Sequence, residues 1–215
     1  MNLDSKLSNE SSDREPHLAS PTRLRDRLRD QTQAAIIAAA EQVLAEQGLD
    51  APVQAIASRA GVAVGTLYNH FGDRDGLVQA VAAHNRRALL QAIDALLLNL
   101  TGDFHAHLVD IAAIFTRHWR LHGPFLAMLM QEHGQAKDRC DRQEMAQALR
   151  VRLQRLVAHG RDTGQLRSDI GDIHADMLLG LFWGLMARSL LGGAPESEGL
   201  AAADLFWRGA ANDPR

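Results

Sequence analysis

Cysteine is almost missing from this chain. The single thiol, Cys140, can close no disulfide within the molecule, which suits a reducing cytoplasm and excludes a disulfide-stapled scaffold. Aromatic residues are scarce at 5%, and apolar–polar alternation of the strand type is absent, which argues against a sheet-built fold. No apolar run approaches the roughly 18–20 residues that cross a bilayer. Met1 to Ser20 also lacks the basic-then-apolar order of a secretory leader. The expectation is a cytoplasmic protein with no membrane partner. Surplus positive charge is lacking as well: 23 Lys and Arg stand against 26 Asp and Glu, a formal charge of −3. That excludes a generally basic nucleic-acid coat and leaves room only for a local basic surface. One candidate is Arg23, Arg25, Arg27 and Arg29, at alternate positions and broken only by Asp26 and Asp30 among charged residues.

The signatures of catalysis are missing too. There is no nucleophile elbow, phosphate loop, dinucleotide fingerprint or paired-carboxylate arrangement, so no catalytic residue and no cofactor is predicted. Histidine is plentiful, with 10 copies, and His105/His107 and His118/His122 invite a metal reading. His105 and His107 fall on different faces of a helix, and no cysteine or carboxylate completes a set at ligand spacing, so no metal site is predicted.

What the chain does have is helical periodicity. Hydrophobic residues make up 46%, mostly Ala and Leu, and they recur at helical spacing through about nine segments, giving an all-α fold. Residues 1–21 are polar and aperiodic and read as a disordered tail. A stripe of Ile36, Ala39, Ala40, Val43 and Leu44 marks a helix stopped by Gly48. Asp50 is placed to cap a second helix with Pro52 in its first turn. A third runs from about Val64 to His70, and a fourth from about Asp73 to Leu98. Beyond Thr101-Gly102-Asp103, helices are expected over 104–120, from Pro124 after a break at His122-Gly123, over 138–159, over 172–191 and over 200–208. Arg142, Arg150, Arg152 and Arg155 read as a solvated face.

The informative stretch is Val53 to Leu77. Two short helices meet across Ala60-Gly61-Val62-Ala63, with Ala57 small at their crossing and Gly61 where the turn needs a permissive backbone. With Val64, Leu67 and Phe71 inward, Gly65, Thr66, Asn69 and His70 face outward and Tyr68 sits on the flank. Small and hydrogen-bonding side chains there suit a major-groove reader. A helical protein-interaction module without DNA binding, or an all-helical enzyme, are the alternatives.

These residues resemble the TetR-type transcriptional regulators. Ile36 to Gly48 looks like that family's first helix, and Ile56-Ala57 with Ala60-Gly61-Val62 looks like its second helix and turn. Gly65-Thr66-Leu67-Tyr68-Asn69-His70-Phe71 followed by Arg74-Asp75-Gly76-Leu77 looks like the recognition helix and its successor. The resemblance is strong from about Arg29 to Val81 and architectural beyond. It implies that Thr66, Tyr68, His70, Arg74 and the helix-one arginines Arg27 and Arg29 meet phosphates, while Val64, Gly65 and Asn69 lie nearest base edges. Arg74 stands where the family usually has lysine, Leu44 where phenylalanine is frequent, and Ala63 where serine or threonine commonly caps the reading helix. The organisation that follows is a reader over 22–75 and a helical sensing and dimerising domain over 76–215.

Asp172 to Leu191 is apolar on nearly every side, as a helix buried between its own core and a partner subunit would be. Gly180 and Gly184 would admit a partner helix, with Leu178, Leu181 and Leu185 beside them, which points to a homodimer and hence to a palindromic double-stranded operator. The resemblance implies the same interface, and a pocket for a small-molecule effector. Trp119, Phe125, Met128, Met130, Trp183 and Met186 are the candidate lining, and they favour an apolar or aromatic ligand. Repression relieved by that ligand is the expected activity.

Overall fold

The computed structural model describes residues 21–132, 136–189 and 195–212, with eight α-helices and no strand among them. The predicted tail falls outside these residues, apart from Pro21. So do the side chains of Cys140 and Arg142.

α1 (Pro21–Gln47) begins with exposed turns and becomes buried only at Ile36, where Ile36, Ala40, Val43 and Leu44 form one inward stripe. Gly48 ends it at φ +90°. α2 (Val53–Ala60) packs on that stripe, and α3 (Val64–Phe71) packs between α2 and α4. Contrary to expectation, Asp50 does not cap α2. The N-cap is Pro52, which can offer no side-chain acceptor, and the Asp50 side chain is fully exposed, 3.8 Å from Arg74. α4 (Arg74–Leu97) is properly capped: the Asp73 carboxylate accepts from the Gly76 N–H at 2.7 Å.

The remaining helices are α5 (Phe104–Glu132), α6 (Ala136–Asp162), α7 (Asp172–Ser189) and α8 (Pro195–Ala210). Eight rather than nine elements result because α5 runs unbroken through His122-Gly123-Pro124. An interior proline costs about 3 kcal/mol through its missing N–H and ring clash. Just beyond it, Phe125 is fully buried, and Leu126, Met128 and Leu129 pack beside it. Fully burying one such side chain gains about 1.5–3 kcal/mol, so several together outweigh the break.

Two cores result. The N-terminal one gathers Ile36, Leu44, Ile56, Leu67, Leu77 and Val81, and it also takes in Phe125 of α5. The C-terminal one gathers Ile93, Phe104, Leu108, Leu153, Leu178 and Phe182. The packing does not change hands at residue 76, because α4 serves the first core through Leu77–Ala82 and the second from Leu89 on. The arginine series does more than face solvent. Arg152 forks onto Asp94 of α4 at 2.9 and 2.6 Å, and Arg150 pairs with Asp176 of α7. No described helix is long and apolar enough to cross a membrane.

Candidate nucleic-acid interface and effector cavity

The α2–α3 turn follows from Gly61, whose φ of +69° lies in the left-handed region that a side chain disfavours. Val62 then packs on the N-terminal core, and the Val62 N–H closes the turn on the Ala57 carbonyl at 3.0 Å. α3 is pinned by Leu67, which has no exposed surface, with Val64 and Phe71 packed against the same cluster. Gly76 fixes the next junction: a β-carbon there would stand 2.2 Å from the Phe71 carbonyl oxygen, so α4 can start this close to α3 only with glycine.

Anchoring one side of α3 presents the other. Gly65, Tyr68 and Asn69 are exposed, Tyr68 by 43%, while Thr66 and His70 are half-buried. Val64, placed by sequence near base edges, is half-buried against the core. Ala63 is the N-cap and supplies no side-chain acceptor, as its sequence position suggests. Arg74 is half-buried, and Asp50 at 3.8 Å holds it loosely. Arg27 and Arg29 are exposed on the early turns of α1. Arg59 of α2 is tied to Glu46 of α1 at 2.7 Å. That hydrogen bond holds the Glu46 carboxyl below its usual range and raises Arg59, though so exposed a pair adds little stability.

Between the two cores lies a cavity of about 120 Å³. Trp119 of α5 and Trp183 and Met186 of α7 line it, as their residue types suggest. Phe125 and Met128 do not. They pack into the N-terminal core instead, while Leu126 and Leu129 of the same stretch of α5 reach the cavity wall. The Met130 side chain lies outside the described residues. Sequence reasoning missed the α4 wall: Gln79, Ala82, Arg86 and Leu89, whose i, i+3, i+7, i+10 spacing is the signal that could have found it. It also missed His118. Burial pushes this imidazole down to about 4 from an ordinary 6.5, helped by neighbouring His122 and opposed by Glu41, so the ring is neutral at pH 7. His118 and His122 lie with ring centroids 4.6 Å apart, but among the described residues no group of three metal-ligating side chains comes together.

α7 and α8 leave an apolar face open. Ile173, Met177 and Leu205 are 64%, 59% and 64% exposed. Gly180 and Gly184 border a cleft with Leu181 and Leu185, and nothing lies within 4 Å of where their β-carbons would be. Leu178 is not on this face. It is fully buried in the chain's own core, whereas its neighbour Met177 is exposed.

Residues 36–81 match the family model for bacterial regulatory proteins of the tetR family. Among solved structures, the chain resembles SmeT, the repressor of the Stenotrophomonas maltophilia multidrug efflux pump SmeDEF. In its triclosan complex, SmeT is 20% identical at a TM-score of 0.68, over 85% of this chain and 93% of that one. NalD, the secondary repressor of the MexAB-OprM efflux pump in Pseudomonas aeruginosa, matches with 22% identity and a TM-score of 0.61, over 87% and 99% of the two chains. FadR, a fatty acid degradation regulator from Bacillus halodurans, matches with 20% identity and a TM-score of 0.68, over 82% and 98%. At these identities the likeness is one of fold.

Proposed function

We propose that this chain, a TetR-type regulator by its N-terminal domain, is a dimeric, sequence-specific DNA-binding repressor that a small apolar or aromatic ligand releases from its operator. The observation that carries the reading is α3 itself. An eight-residue helix is locked on one side by a fully buried leucine while Gly65, Tyr68 and Asn69 stand open on the other. Asn69 is suited to a bidentate contact with adenine, and Tyr68 and Thr66 to phosphates. The first-turn N–H groups of α3, which Ala63 leaves without a side-chain acceptor, suit a phosphate oxygen. Arg27, Arg29 and Arg74 add local positive charge to an acidic chain.

The open face of α7 and α8 suits a second copy of the chain, with Met177, Gly180, Leu181, Gly184, Leu185 and Leu205 at the seam. Two-fold pairing then asks for a palindromic operator with half-sites spaced by whole helical turns. The cavity supports the effector reading through its apolar wall, and its volume of about 120 Å³ matches a ligand near one aromatic ring in size. Among the chains of similar fold, SmeT has been solved in complex with triclosan, which supports a small-molecule site. A regulator of this kind works in the cytoplasm and needs no catalytic residue.

Selection from a random duplex pool tests the reading. The protein is expected to retain one palindromic sequence, with affinity falling steeply as salt rises; retention without sequence preference would refute it. Asn69→Ala should relax base preference by about 1–3 kcal/mol at one position, while Arg74→Ala should weaken all duplexes alike and reduce the salt slope by about one.

A further inference from the structure

α5 belongs to both cores. Phe104, Leu108 and Phe115 set its first half in the C-terminal core, and Phe125 sets its last turns in the N-terminal core. Between them stands Pro124. It has no N–H for the Arg120 carbonyl, which makes this the most easily bent point of the helix. Gly123 precedes it for a steric reason: a β-carbon there would lie 2.9 Å from Cε2 of Trp119. The indole that walls the cavity therefore rests directly on the weak point.

A polar cluster ties the same place to the reader. His118 lines the cavity, and its ring lies 4.6 Å from that of His122 one turn on. Nδ1 of His122 is bonded to Oε1 of Glu41 on α1, and the same oxygen accepts from Nδ2 of Asn85 on α4 at 2.8 Å. Glu41 lies between Ala40 and Val43, both in the N-terminal core. The Glu41 and His122 side chains keep only 15% and 18% exposure, so water competes poorly for this bond. Asn85 is fully buried, and its Oδ1 meets no donor among the described residues, so Glu41 is the partner that holds the amide.

We propose that Glu41 and His122 are positioning residues that transmit the state of the cavity to the reader. An occupant that displaces Trp119 and His118 bends α5 at Gly123–Pro124. His122 moves with it, draws Glu41, and shifts α1 together with the α2–α3 unit packed on it. This rests on the ligand-release reading above. The rival route is α4 alone, which lines the cavity and enters the reader directly, without using His122 or Pro124.

The test uses the full chain, the duplex it selects, and benzene as a probe of the size of the cavity. In the wild type, saturating benzene is expected to weaken duplex binding about fivefold or more, the usual scale of coupling between sites. In Glu41→Gln and His122→Gln, benzene should still shift the NMR signals of the Met145 and Met186 methyls, and benzene-free duplex affinity should hold. The effect of benzene on duplex binding should nearly vanish. Pro124→Ala leaves the polar cluster in place and restores the missing backbone bond, so it decides the matter even if a Glu41 variant unfolds; there too the effect should shrink. Full wild-type coupling in Pro124→Ala and in the folded Glu41 or His122 variant overturns the relay and leaves α4 as the route. A wild type that holds benzene and duplex with no mutual effect overturns ligand release itself, and the relay with it.

Discussion

The N-terminal core closes on its own short helices, and the C-terminal core borders a cavity. In the first, short helices close on Leu67 and Ile56, and Gly76 admits a contact that no other residue allows. In the second, α4 to α7 bring large side chains together and still leave about 120 Å³ between them. A surface that must match base edges to fractions of an ångström needs a support with one arrangement. A pocket for the proposed ligand needs space that something else can occupy, and the helices around it give up contact energy to leave it.

That contrast can be pressed by cutting each core equally. Leu67→Ala removes the anchor of α3 in the N-terminal core and should cost about 3–4 kcal/mol, with loss of duplex binding; the denaturation midpoint and a binding isotherm read both. Leu149→Ala also removes a buried leucine, but one already facing the cavity, and should cost about 2 kcal/mol while leaving duplex binding intact. Equal costs would erase the distinction.

Acid should find the cavity side next. The unfolded chain binds a proton on His118 below pH 6.5 that the folded chain refuses until about pH 4. This contribution is therefore intact above pH 6.5 and lost as the pH falls toward 4. The loss amounts to about 2 kcal/mol after allowance for partial solvent access. His118→Gln should flatten that part of the stability–pH curve. The smallest effect belongs to the junction of the two regions: Asp73→Ala removes the α4 cap and should cost about 1 kcal/mol, seen in the thermal midpoint.

How far the sequence could be read also divides along this line. In the reader each residue answers to neighbours a few positions away. Gly61 in its left-handed turn, the uncapped Ala63 and the inward Leu67 could all be read one by one. In the C-terminal half local rules were overridden at a distance. Gly123-Pro124 has the look of a helix boundary, and only the burial of Phe125 in the other core explains why it is not one. A cavity belongs to no single helix, so α4's share in it was invisible until α4 had neighbours. α7 is apolar all round, so nothing in its composition separates buried Leu178 from exposed Met177.

Leu126 and Leu129 wall the cavity on one side and support the reader's core on the other, and Ala82 does the same from α4. The cavity and the N-terminal core share a partition. Substitutions that enlarge the chamber for a bulkier molecule at these positions thin the support of the DNA-reading unit. Under the proposed ligand release, room for a bulkier molecule and support for α3 compete at these positions, whereas Met145, Trp183 and Met186 line the cavity from α6 and α7 outside the N-terminal core.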